Sequence, residues 1–149
     1  MNYQYLNQLN KEIPLLSNKY QKLLFIHESK SGDTLKYFSK SKGYPYINLN
    51  LYLSEKLKEV KSENRPFKAV DLMDELIEQY DNIICIDYIE ILYEPTLRLN
   101  AIEVLKNLSR RATLLVAWRG EIVNGQLLHA RAGYSDYSKT SADDITIIY

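Results

Sequence analysis

The stretch LLFIHESKSGDTLKYF, Leu23 to Phe38, decides how the rest of the chain is read. Four apolar residues, Leu23 to Ile26, form a short strand. Ser29 to Gly32 form a small-residue turn, and Thr34 onward has the spacing of an amphipathic helix. Strand, tight loop and helix are the layout of a phosphate-binding loop. The pattern Gly-x4-Gly-Lys-Ser/Thr, laid over residues 27–34, matches at Gly32 and Thr34. It fails at His27, where the first Gly belongs, and at Asp33, where the phosphate-gripping Lys belongs.

Working outward, the strand is a continuous apolar run, which favours a position inside a parallel sheet. Asp33 or Thr34 caps the helix, Leu35 and Phe38 point inward, and Gly43 fits the C-terminal cap. Ahead of it, residues 2–20 have helical spacing, with Pro14 expected to divide two short helices. Downstream, Tyr46 to Leu49 reads as a second strand and Ser54 to Val60 as a short helix, followed by a loop at KSENRP. A helix after Pro66 is expected to turn Phe67, Val70, Met73, Leu76, Ile77 and Tyr80 inward. Asn82 to Asp87 is the third strand, Leu97 to Arg111 a helix and Thr113 to Trp118 the fourth strand. Residues 121–130 read as a hairpin with a type I′ turn at Asn124-Gly125. Arg131 to Asp144 reads as loop, and Ile145 to Tyr149 as the last strand. Strands alternating with helices predict an α/β domain with a mainly parallel five-stranded sheet and helices on both faces.

The 149 residues fit one domain, 1–149, large enough for a full core. Net charge is zero, so no global attraction to nucleic acid or membrane is expected. The single cysteine, Cys85, cannot form an internal disulfide and reads as a buried hydrophobe. No apolar signal core opens the chain and no run approaches the roughly 20 residues that span a bilayer, which points to the cytoplasm.

A phosphate site needs backbone N–H groups converging on the anion, with a helix N-terminus behind them. Ser29, Lys30, Ser31, Gly32, Asp33 and Thr34 are the candidate nucleotide-binding residues. Thr34 and Asp87, the latter at a strand's C-terminal end, are the candidate Mg²⁺ residues for bound ATP. Asp87 and Glu90 are the candidate catalytic residues, Glu90 by polarising a water. Asp33 opposes them: a like charge 4 Å from a phosphate contributes about 4 kcal/mol at an effective dielectric of 20. Lys30 or Lys36 offers a substitute cation. Arg119 is a candidate phosphate sensor, or a partner of Asp87 or Glu121. Arg110 and Arg111 are either surface charge or arginines donated to a neighbouring subunit. His27 reads as locally hydrogen-bonded and Trp118 as packing. The lysine-aromatic segment Lys36 to Tyr44 fits a solvated helix face or a DNA surface.

Three further segments carry a resemblance over most of the chain: YPYINLNLYLSEKL (Tyr44 to Leu57), IDYIEILYEPTLRLN (Ile86 to Asn100) and LKNLSRRATLLVAWRGEIVNGQL (Leu105 to Leu127). The sequence resembles the BrxF family, the small P-loop proteins of type 3 BREX phage-defence systems. The resemblance implies a three-layer, AAA-like P-loop NTPase core with the fourth strand between the first and third. The helical lid domain that usually follows such a core is not expected here, since the last strand read is the fifth. It implies ATP with Mg²⁺ as cofactor, Gly32-Asp33-Thr34 at the Walker A site and Asp87 at the Walker B position. The resemblance also implies other BREX defence proteins as partners; a homo-oligomer and DNA contacted through the complex are separate expectations that the resemblance does not itself carry. Two readings stay open: a subunit that binds ATP, with or without hydrolysis, and a nucleotide-free scaffold or adaptor.

Overall fold

The computed structural model describes residues 3–129, 138–141 and 145–149. Helix α1 (Tyr3–Leu16) leads into strand β1 (Leu23–His27) and helix α2 (Thr34–Lys42). Strand β2 (Tyr46–Asn48) passes directly into α3 (Leu49–Leu57), and α4 (Arg65–Glu78) precedes β3 (Ile83–Asp87). Two short 3₁₀ turns, Ile89–Tyr93 and Pro95–Leu97, connect to α5 (Ala101–Leu108) and β4 (Thr113–Trp118). Strands β5 (Glu121–Val123), β6 (Gln126–His129), β7 (Ser138–Ser141) and β8 (Thr146–Ile148) follow.

The main sheet has the order β2-β3-β4-β1-β8, and every pairing in it is parallel. The fourth strand of the chain therefore lies between the first and the third, as expected. Burial follows the pleat, because successive side chains point to opposite faces. Leu23, Phe25, Ile84, Ile86, Leu114 and Val116 join a core with α3, α4 and α5. Leu24, Ile26, Cys85, Leu115 and Ala117 join a second core with α1 and α2. Helices thus cover both faces. Among the described residues, no helix is long and apolar enough to cross a membrane.

Several boundaries differ from the periodicity for local reasons. Pro14 does not divide α1 but sits in its last turn, where its carbonyl accepts a hydrogen bond from Ser17 Oγ at 3.0 Å. Helix α3 starts at Leu49 rather than Ser54, because Asn48 Oδ1 accepts the Leu51 N–H at 3.1 Å. Helix α5 starts at Ala101 rather than Leu97, where Asn100 Oδ1 accepts the Glu103 N–H at 3.1 Å. Arg98, at φ 52°, separates it from the preceding turn. On α4, Phe67 is 74% and Val70 37% exposed, because Ala69, Leu72, Met73, Leu76 and Ile77 take the inner face.

The hairpin turn forms as read, with Asn124 at φ 51° and Gly125 at φ 73°. Ser138–Ser141, expected to be loop, adds a third antiparallel strand beside β6. The remainder of that expected loop, 131–137 and 142–144, lies outside the described residues, as does residue 130 of the expected hairpin.

Candidate functional site

In a parallel sheet every strand ends at the same edge. Because β4 runs between β1 and β3, the residue after β4 is delivered between the β1 loop and the end of β3. That residue is Arg119.

An arginine has five N–H donors in a rigid fork. Arg119 places all of them. Nε donates to Asp87 Oδ1 and Nη2 to Asp87 Oδ2, both at 2.9 Å. Nη1 donates to the carbonyls of Ser29 at 2.7 Å and Lys30 at 3.2 Å, and Nη2 to that of Gly32 at 2.8 Å. The guanidinium lies 4.5 Å from the centroid of the Tyr88 ring. Tyr88 adopts an uncommon left-handed backbone (φ 54°) directly after β3, and its N–H donates to Asp87 Oδ1 at 2.8 Å. The bond to Asp87 raises the Arg119 pKa still further, against the opposing effect of burial.

Asp87 is fully buried, and its carboxylate is saturated. Besides Arg119 and the Tyr88 N–H, it accepts the Tyr46 hydroxyl at 2.5 Å. Burial first, and that bond second, push the Tyr46 pKa well above the usual phenol range.

The loop itself closes with Gly32 N–H donating to the Ser29 carbonyl at 3.1 Å. Its geometry leaves little room: a Cβ on Gly32 would stand 2.9 Å from Ser29 Oγ. Asp33 is exposed and occupies the N-cap position of α2, but its carboxylate accepts no capping bond. The expected cap by Asp33 or Thr34 is made instead by Glu28, which reaches back so that Oε1 accepts the Thr34 N–H at 3.2 Å. Glu28 is 3% exposed. Its Oε2 stands 3.6 Å from Arg119 Nη2 and has no hydrogen-bond partner.

The polarity of this site is that of a cation cradle. Three loop carbonyls and two buried carboxylates converge, and the chain's own guanidinium fills the space between them. A phosphate cradle presents N–H groups to its anion. Here the Thr34 N–H at the helix N-terminus is already held by a carboxylate, and both Asp87 oxygens are taken. In this arrangement the residues do not fit a triphosphate with Mg²⁺.

Of the predicted site residues, the structure brings together Ser29, Lys30, Gly32, Thr34, Asp87 and Arg119. Lys30 contributes its carbonyl rather than its ammonium. Ser31 is exposed, as are the substitute cations Lys30 and Lys36. Glu90 is not part of this cluster. It lines a cleft of about 660 Å³ beside α3, together with Asn50, Ser54, Arg65 and Glu94, and no residue of the loop lines that cleft. Arg110 and Arg111 precede β4 and so lie at the opposite end of the sheet from Arg119. Arg110 stacks 4.7 Å from the Tyr20 ring centroid, and Arg111 pairs with Asp74 and Glu78. His27 Nε2 donates to the Gly120 carbonyl at 3.0 Å, the local role expected of it. Trp118 is packing, edge-on to Phe25 and Tyr93. Among the described residues no group of three or more His, Cys, Asp or Glu is placed to hold a metal.

Glu28, Tyr46 and Tyr88 were not legible as site residues. The one available signal was charge: an acid at the exit of an apolar strand, in a chain with an arginine at the exit of another. No protein-family model, curated protein or solved structure matches the chain.

Proposed function

We propose that this chain is a P-loop-derived adaptor of a bacterial BREX-type anti-phage assembly that works with no nucleotide in its loop. One observation carries the nucleotide-free part: Arg119 occupies the centre of the loop, bonded to three of its carbonyls and to both oxygens of Asp87. The defence context rests on the BrxF resemblance of the three segments named above, and the strand order agrees with the P-loop ancestry they imply. The alternative, ATP binding with Thr34 and Asp87 at Mg²⁺, requires Arg119 to leave all five acceptors and Glu28 to release the helix.

Thermal unfolding with and without Mg-ATP separates the two. A ligand bound only to the folded state, present at a hundredfold excess over Kd, contributes about 2.7 kcal/mol, which is several degrees in Tm for a domain of this size. The expected result is no shift, for the chain alone and with its partners bound. Thr34→Ala removes the hydroxyl that the ATP-binding alternative needs for Mg²⁺, while leaving the Arg119 contacts in place. Defence against phage is expected to survive it. An ATP-dependent rise in Tm, or loss of defence in a folded Thr34→Ala protein, overturns the adaptor reading.

A further inference from the structure

The chain is neutral overall, but its first 45 residues are basic and the next 49 acidic, while residues 97–111, which build α5 beside α4, are basic again with four Lys and Arg against one Glu. Residues 1–45 hold seven Lys and Arg against three Asp and Glu, whereas residues 46–94 hold five against eleven. The first group builds α1 and α2 on one face of the sheet. The second builds α3 and α4 on the other.

Each face also has an uncovered apolar feature within its charges. On α2, Lys36 and Lys40 are one turn apart, and Tyr37 stands beside them, 46% exposed. On α4, Phe67, Val70, Asp71 and Asp74 fall along one outer stripe at helical spacing. Beside that stripe, a groove of about 300 Å³ opens between α4 and α5, with Val70, Met73, Val104 and Leu108 in its walls. A closed apolar cavity of about 150 Å³ admits a benzene ring, so this groove has room for a tyrosine ring. Arg111 already pairs with Asp74 and Glu78. Asp71 and Glu75, both exposed, make no ion pair among the described residues and are open to a basic partner.

We infer that the partner of the α4–α5 groove is a second copy of this chain, docked through α2. Tyr37 enters the groove while Lys36 and Lys40 meet Asp71 and Glu75. The contact joins two different faces, so it is heterologous, and each copy keeps one face open for the next. Each half of the surface supplies what the other lacks in charge and in shape, which a partner for one face alone would not account for. The charged contacts lie at the rim of the groove, so the association is expected to weaken as salt screens them.

Sedimentation velocity across a concentration series tests this without assuming the nucleotide-free reading. The wild-type chain is expected to form species heavier than a monomer at low ionic strength and to lose them at about 1 M salt, where the screening length is about 3 Å. Tyr37→Ala is expected to weaken the association at least tenfold. Lys36→Glu with Lys40→Glu, and separately Asp71→Lys with Glu75→Lys, are expected to give folded monomers. Mixing the two charge-reversed proteins restores complementary faces and is expected to restore the association. A wild-type chain that stays monomeric at every concentration overturns the inference. So does association that both charge reversals leave unchanged, or failure of the mixed variants to recombine. Salt-sensitive retention of duplex DNA by a strictly monomeric protein, lost in Lys36→Glu with Lys40→Glu, assigns the basic face to nucleic acid and overturns it as well.

Discussion

Arg119 lies with its side chain only 8% exposed between Asp87, at 0%, and Glu28, at 1%. Removing one partner of a buried ion pair leaves the others uncompensated, at a cost of about 3–5 kcal/mol. Arg119→Ala is therefore expected to lower stability by about that amount in denaturant unfolding. Arg119→Lys is expected to recover little, since one ammonium cannot serve five acceptors arranged for a planar fork. The cradle itself persists in Arg119→Ala, so low-millimolar guanidinium, far below denaturing concentrations, is expected to raise the Tm of that variant and not of the wild type. An equal effect on both proteins would show that the loop does not recognise the ion. The sequence places Arg119 at the right edge and names Asp87 among its candidate partners. It does not reveal Glu28, because a carboxylate in a serine- and lysine-rich turn reads as solvated until the fold closes over it. Nor does it reveal which way the loop carbonyls turn, since small polar residues allow both orientations.

Three buried groups, of which only Tyr46 belongs to this cluster, set a pH dependence of known sign. The folded-state pKa values of Tyr46 and Tyr93 lie above the ordinary phenol value, and burial pushes the Cys85 thiol up to about 12. Groups with a raised folded pKa contribute stability that is fully present below their unfolded values and is lost as pH rises toward the folded ones. Stability is thus expected to fall from about pH 9 upward, where unfolded thiols and phenols begin to ionise. Tyr46→Phe, which removes the hydroxyl donated to Asp87, is expected to cost about 1.5–3 kcal/mol at neutral pH and to flatten part of the alkaline decline. An unchanged alkaline limb in this variant would remove Tyr46 as a contributor.

Among the elements, the apolar runs of β1, β3 and β4 were legible because strands buried on both faces leave no polar positions. Helix α4 was legible as a helix but not in its orientation. Phe67 and Val70 fit the same period as Met73 and Leu76, and only the frame Ala69, Leu72, Met73, Leu76 and Ile77 meets the sheet. Strand β7 gave no signal, since Ser138–Ser141 is short, polar and recruited by pairing with β6. The hairpin was the easiest element to read, and its join to the main sheet is the most constrained. A Cβ at Gly120 would run into the Leu128 carbonyl and stand 3.2 Å from Trp118 Nε1. The Gly120 carbonyl also accepts the His27 bond. Gly120→Ala is expected to destabilise the protein by about 1–3 kcal/mol by overpacking. At Gly125 a Cβ meets nothing within 4 Å, so Gly125→Ala is expected to cost only about 1 kcal/mol, from its φ of 73°. Equal losses for the two variants, measured by urea unfolding, would place the constraint in the turn rather than at the join.

For the whole molecule, the two sheets differ in how they are anchored. The central strands β1, β3 and β4 are covered on both faces, and their described residues are almost all buried. Strands β5 and β6 present mainly partly exposed residues, with Leu127 the buried one. Among the described residues, the small sheet is held by Leu127 and Ile122 against the main core, the stacking of His129 on Tyr93 at 3.9 Å, the Trp118 indole N–H donated to the Glu121 carbonyl, and the Gly120 join. Local opening has a free energy set by the buried apolar contacts that must be broken. The amides of residues 121–129 are therefore expected to exchange hydrogen through a sub-global opening well below the free energy of unfolding. Those of 23–27, 83–87 and 113–118 exchange only by global unfolding. Arg119 sits at the boundary, since its backbone links β4 to the hairpin while its side chain belongs to the loop. In Arg119→Ala the slow amides of β1 and β3 are expected to lose protection together, by the same increment as global stability, because the side chain joins the exits of both strands. If protection falls only in the hairpin, the arginine serves the small sheet alone, and the β1 loop is held by its own turn.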